Sequence, residues 1–254
     1  MIAFTHIPKT AGTTLNYIFQ KNFGGNLISV IHRKGSNYTY SALKNDSILY
    51  KHANCISGHS LKPFIDYKEY NSKLEWITFL RDPIKRFVSQ YIHQQTGNLS
   101  NYKMGVEEWA AKYARSNWQV KWIAGEEDLE AAKQIINERF KFIGITEKFD
   151  ESLEILSSVF NLDVSYSKPK MVVRDNELKN SLLLDKKHSL FEEQNELDIK
   201  LYNYVLEKYY PNQLELLNKK REPFFLSKGE ETINLLMYKA KRNLIYRPFA
   251  HFTK

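Results

Sequence analysis

Apolar positions along the chain follow two periods. Short continuous apolar runs, IAFTHI (2–7), NLISVIH (26–32), ANCIS (53–57), LEWITFL (74–80) and FKFIGI (140–145), are too brief for helices and read as buried strands. Between them, apolar residues recur at helical spacing in GTTLNYIFQKNF (12–23), DPIKRFVSQYIHQQ (82–95), VEEWAAKYA (106–114), DLEAAKQIINERF (128–140) and KFDESLEILSSVF (148–160). Gly24-Gly25 ends the first helix, while Asp82 as cap and Pro83 at the first helical position open the second. Residues 163–190 show no regular period. EQNELDIKLYNYVLEKYY (193–210) reads as one long amphipathic helix. The stretch 223–254 is basic and aromatic, and reads as a tail with a helix packed on the outside of the same domain. The order β-α-β-β-β-α-α-α-β-α predicts an α/β fold with a mostly parallel central sheet flanked by helices.

Composition narrows the class. With 254 residues, 43% hydrophobic, the chain can bury one good core, and 10 Gly with 7 Pro exclude a low-complexity protein. No repeat is visible, and no apolar run is long enough to span a bilayer. The N-terminus runs straight into the first strand, leaving no room for a signal peptide, and Cys55 is the only cysteine. A cytoplasmic setting is expected, in which the sequons NYT, NDS and NLS are chance matches. Net charge +8 suggests an anionic partner, but the positive charges are spread along the chain without a nucleic-acid-binding motif, so no nucleic acid is expected.

Candidate chemistry concentrates in two stretches. THIPKTAGTTL (5–15) has the layout of a strand, a phosphate-binding loop and a helix start, yet Lys9 precedes Gly12 instead of following the last glycine. The turn Pro8-Lys9-Thr10-Ala11-Gly12 can converge backbone N–H groups on an anion. The helix N-terminus adds its unsatisfied donors, and Thr13 and Thr14 can cap it or donate hydroxyls. WITFLRDPIKRFVSQYIH (76–93) repeats the arrangement. Arg81 lies at the strand's carboxyl end, and Ser89 falls one turn beyond Lys85 and Arg86, a set suited to gripping one phosphate group. An ordinary capped turn remains the bland reading of the first stretch, and an Arg–Asp pair with a solvated helix face that of the second.

Taken together, HIPKTAGTTL resembles the 5′-phosphosulfate loop, and FLRDPIKRFVSQY the 3′-phosphate motif, of sulfotransferases that use 3′-phosphoadenosine 5′-phosphosulfate (PAPS). The branch of heparan sulfate 2-O-sulfotransferase and related carbohydrate sulfotransferases is the one it is most similar to. ISGHS resembles that branch's Gly-His element, and SNWQVKWIAG and FKFIGITEKFDESLEIL continue the likeness through about residue 160. The departures from the Golgi members, a missing N-terminal membrane anchor and no paired cysteines, lead to the expectation of a location other than the Golgi with the same chemistry. The resemblance implies a P-loop-like three-layer fold over a sulfotransferase domain at 1–222. It also implies PAPS as donor substrate, with no metal, held by Lys9, Thr10, Ala11, Gly12, Thr13, Thr14, Arg81 and Ser89. Lys9 would neutralise charge on the departing phosphate, and His59 would take the acceptor's proton.

His6 reads as core, and His32, His52 and His93 lack a supporting motif. His52, Cys55 and His59 could suggest zinc, but no fourth ligand stands at diagnostic spacing. Trp109 and Tyr113 read as helix core, with Arg115 and Lys121 nearby. Trp118 and Gln119, in a polar, looped stretch, are the acceptor-cleft candidates, for a glycan, a glycolipid or a small hydroxylated metabolite. A P-loop kinase or nucleotidase and a non-catalytic nucleotide- or glycan-binding protein are the competing classes.

Overall fold

The computed structural model describes residues 1–30, 37–49, 51–96, 104–113, 116–166, 182, 188–217 and 224–246. Its centre is a five-stranded sheet of β1 (Ile2–Thr5), β2 (Leu27–Ser29), β3 (Cys55–Gly58), β4 (Glu75–Leu80) and β5 (Phe140–Ile145). The spatial order is β2-β3-β1-β4-β5, and every pairing is parallel. A parallel sheet needs cover on both faces, which is why β1 and β3 are buried at all four positions. Helices flank the sheet, giving the α/β, P-loop-like layout expected of the pattern.

Topology places the site. β1 lies between β3 and β4, so connections from neighbouring strands diverge there, and ligands of open α/β sheets bind outside the strands' carboxyl ends at such a point. In register, Thr5 pairs with Gly58, so the phosphate-loop candidate and the Gly58-His59 turn leave the sheet side by side.

Helix α1 (Gly12–Phe23) and helices α3 (Pro83–Thr96), α4 (Val106–Tyr113), α6 (Leu129–Arg139) and α7 (Phe149–Phe160) fall within a residue or two of the periodic segments. Helix α2 (Tyr40–Leu49) has no counterpart in the pattern, because its apolar residues do not gather on one face: Leu43 is buried in the core while Ile48 is exposed. Residues 118–119 also depart from the expected loop: they begin helix α5 (Trp118–Ala124). The long helix over 193–210 is broken into α8 (His188–Gln194), α9 (Glu196–Tyr204), a π-turn (Val205–Tyr209) and α10 (Tyr210–Leu214). The break between α8 and α9 has one local cause and one distant one. Asn195 turns its amide back to the Phe191 carbonyl at 2.7 Å, and the Leu197 N–H donates to Asn117 Oδ1 at 2.8 Å. A second core of Phe87, Tyr91, Trp109 and Phe191 forms where α3, α4 and α8 meet.

Candidate functional site

The turn after β1 is held in a strained shape. Lys9 and Ala11 sit at φ 72° and 64°, in left-handed backbone that non-glycine residues enter at a cost. Turns of this kind gather successive N–H groups into an anion-binding concavity. Thr10 is fully buried, and its hydroxyl donates to the Ile7 carbonyl at 2.9 Å, so the side chain braces the loop from beneath. Helix α1 then begins at Gly12 with Ala11 as N-cap. Ala11 gives it no side-chain cap, and no acidic residue occupies its first turn. The Thr14 N–H donates to the Ala11 carbonyl at 3.1 Å, and the N–H groups ahead of it at the start of α1 have no acceptor within the helix.

Cations converge on this opening. Arg81, at the end of β4, donates from Nη1 to the Lys9 carbonyl at 3.0 Å, so the second stretch grips the first. Its Nε lies 3.9 Å from Glu147 Oε1, beyond hydrogen-bond range, and among the described residues the buried Nε of Arg81 and of Arg86 have no hydrogen-bond partner. Buried guanidinium donors are costly to leave unpaired; Arg86 has the charge of Asp198 near it, while an anionic ligand in the opening would satisfy Arg81. Burial, and then the charge of Arg81, lowers the pKa of Lys9. Arg86 and Ser89 are buried on α3, whereas Lys85 is exposed and does not share their face. Asp82 caps α3 by accepting the Lys85 N–H at 2.8 Å. His93 stands one turn beyond Ser89, with its pKa lowered by burial and then by Lys9.

His59 stands beside this opening. Its Nδ1 is 2.7 Å from the His6 carbonyl oxygen, which can only accept, so Nδ1 carries the proton and Nε2 keeps the lone pair of a base. The His6 and His59 rings stack with centroids 4.0 Å apart at 26°. Ser57 Oγ donates to Asn16 Oδ1 at 2.6 Å, which turns the Asn16 amide toward His6 Nδ1 at 3.4 Å. The same ring fills the space over Gly12, where a Cβ would come within 1.8 Å of His6 Nε2. Glycine is required there, and His6 joins the loop to His59. It is only partly buried and is a site residue that sequence reasoning placed in the core. The signal was present in the chain, since His6 follows Thr5 at the carboxyl end of β1, but its stacking partner comes from 53 residues away.

Trp122 closes the other side of His59, edge-on at 6.0 Å, with the Lys62 ammonium 2.7 Å over its ring centroid. Trp118, half-buried, packs edge-on against Trp122 at 5.2 Å and borders the same region. Gln119 does not line a cleft. It is buried, donating to the Arg81 carbonyl at 2.9 Å and accepting from the Arg81 N–H at 3.0 Å, and so fixes the end of β4. Helix α5 is itself capped from a distance by Asp198, which accepts the N–H groups of Gln119 and Val120 at 2.9 and 2.8 Å. Trp109 is core, as expected, while Arg115 and the Tyr113 side chain lie outside the described residues. Cys55 is buried within β3 and His52 is exposed before it, so strand β3 separates His52 from His59.

Searched against curated proteins, the chain finds no match. A family model described as the sulfotransferase family matches residues 1–217, a span that contains every site residue above.

Proposed function

We propose that this chain, which belongs to the sulfotransferase family, moves a sulfuryl group from PAPS to an acceptor hydroxyl on a carbohydrate or glycolipid. It would do so as a relative of the heparan sulfate 2-O-sulfotransferase branch. The observation that carries this reading is the uncapped N-terminus of α1, opening between Lys9 and the unpaired Nε of Arg81. The backbone N–H groups of residues 10–13 suit the 5′-phosphosulfate, with the hydroxyls of Thr13 and Thr14 at the same helix end. Arg81 and Ser89 suit the 3′-phosphate, from the two sides of the turn into α3.

Residue chemistry then follows from position. His59 Nε2 takes the acceptor hydroxyl's proton as the acceptor oxygen bonds to sulfur. The bond from sulfur to the bridging oxygen breaks, its electron pair stays on the departing phosphate, and the Lys9 ammonium neutralises that charge. A sulfuryl group carries less charge than a phosphoryl group, so these cations supply the neutralisation that a kinase draws from magnesium. His6 holds the His59 ring in the tautomer the reaction needs, and Trp118 offers a flat apolar face to a sugar.

Calorimetry tests the donor half. 3′-Phosphoadenosine 5′-phosphate (PAP) should bind in magnesium-free buffer more tightly than AMP or ATP, and a preference for ATP with magnesium would return the chain to the kinase class. A labelled-sulfate transfer screen over glycans and glycolipids tests the acceptor half.

A further inference from the structure

Seven large hydrophobic side chains stand exposed among the described residues, and six of them lie in one stretch: Phe224, Phe225, Ile233, Leu236, Met237 and Leu244. The stretch is helix α11 (Lys228–Lys241) with its flanks, and it lies wholly beyond the residues matched by the family model. Positions 233, 236, 237 and 244 follow the spacing of a single helix face. A helix on a protein surface ordinarily buries that face against the core. This one is mounted the other way.

Its attachments to the body are mostly polar. Tyr17 Oη donates to Glu231 Oε1 at 2.8 Å, and Asn234 Nδ2 donates to the Lys21 carbonyl at 2.8 Å. Lys241 Nζ donates to the Gly25 carbonyl. Just ahead of the helix, the Leu226 N–H donates to Asp163 Oδ2 at 3.1 Å, and Asp163 forms a buried ion pair with Lys21 at 2.8 Å. Tyr238 is the helix's one buried apolar anchor. The backbone approach is close enough that a Cβ on Gly24, at φ +49°, would meet Asn234 backbone at 2.8 Å. The helix is thus fixed in orientation, with its apolar stripe in water, and a patch of that kind marks a contact surface.

Charge selects what covers it. Residues 218–254 hold nine Lys and Arg against three Glu, which is +6 of the chain's net +8. The described part of the stretch, 224–246, holds Lys228, Lys239, Lys241 and Arg242 against Glu230 and Glu231, so two copies meeting on this stripe would set one net positive surface against another, and a soluble polyanion would leave the apolar side chains in water. An anionic bilayer satisfies both. We propose that helix α11 lies flat in the interface of an anionic lipid membrane, with Ile233, Leu236, Met237 and Leu244 among the acyl chains and the basic residues at headgroup level. No helix among the described residues is long and apolar enough to cross a membrane, so this is attachment to one leaflet. The proposal is independent of the sulfur chemistry.

The test is co-sedimentation of the full chain with phosphatidylcholine vesicles, with and without about 30% phosphatidylglycerol. The chain should pellet with the anionic vesicles, release as salt rises, and stay in solution with phosphatidylcholine alone. Leu236→Glu/Met237→Glu and Lys239→Glu/Arg242→Glu should each lower the bound fraction at least about tenfold while leaving the thermal midpoint unchanged. If the first pair lowers that midpoint, Leu244→Glu, at a position 76% exposed, repeats the measurement. No pelleting at low salt, equal binding to both vesicle types, or binding indifferent to both pairs would overturn the proposal. So would a dimer in sedimentation velocity that Leu236→Glu/Met237→Glu converts to monomer, since a second copy would then be the occupant.

Discussion

After β1 the chain enters α1 through Ala11, in left-handed backbone, which gives the helix's N-terminus no side-chain cap. After β4 it enters α3 through Asp82, whose carboxylate accepts the Lys85 N–H at 2.8 Å. Both turns follow buried strands at the carboxyl end of the sheet, the first with Lys9 and the second with Arg81, Lys85 and Arg86. The difference shows which of them waits for a ligand. Orphan N–H groups and the positive end of a helix dipole need an acceptor. In the second turn the Asp82 carboxylate supplies one, whereas in the first Ala11 offers only its carbonyl and the cations Lys9 and Arg81 stand beside the helix end. The second turn contributes to the first through Arg81, which braces the Lys9 carbonyl and leaves its Nε unpaired.

The largest expected effect concerns the base beside the open turn. His59→Ala should lower sulfate transfer about 10²–10⁴-fold while PAP affinity is nearly kept, and wild-type turnover should rise with pH along a limb that the variant lacks. Near-normal transfer by His59→Ala with the true acceptor would remove it as the base.

Giving the open turn a cap of its own erases the contrast directly. Asp tolerates left-handed backbone, so Ala11→Asp should keep the fold while placing a carboxylate where the phosphosulfate belongs, and PAP affinity should fall by about 10–10²-fold. The converse change, Asp82→Ala, should cost about 1 kcal/mol of stability in denaturant titrations, as the loss of a helix cap does, and leave PAP affinity close to wild type. Equal losses of PAP affinity in both would mean that the two turns do not differ in the way described.

A finer cut lies within the donor site. Arg81→Ala and Ser89→Ala should weaken PAP about tenfold or more and AMP far less, because AMP lacks the 3′-phosphate. Calorimetry with the two nucleotides reads the ratio directly.

The smallest effect is on the ligand-free protein. Lys9 has a pKa lowered by burial and by Arg81, so between that lowered value and its ordinary 10.5 the unfolded chain binds more protons than the folded one. Stability should therefore gain a contribution as pH rises through that window, where the charged lysine stops opposing the fold. Lys9→Met should raise the thermal midpoint slightly near pH 7, flatten that rise, and reduce the stabilisation by PAP. A lower midpoint without ligand would show that Lys9 supports the fold.

Strand–turn–helix order, the five strands and helix α1 from Gly12 to Phe23 were legible because period and turn chemistry are local properties. So was the pairing of the Lys9 loop with the Arg81 turn, since two motifs in series restrict the chemistry more than either alone. The sequence by itself determined which segments could carry an anion site and which histidine follows a glycine turn at a strand end. Tertiary structure alone decided the rest. Helix α5 exists where a loop was expected because Asp198, about 80 residues on, caps it, and Gln119 is consumed in holding Arg81 in place. His6 becomes part of the site because parallel pairing of β1 with β3 brings His59 onto its ring. Helix α11 carries a stripe any helical wheel displays, but only the hydrogen bonds of Asn234 and Glu231 to the body reveal that the stripe faces out. A side chain's partners across the fold are set by packing between distant segments, and periodicity along the chain carries no record of them.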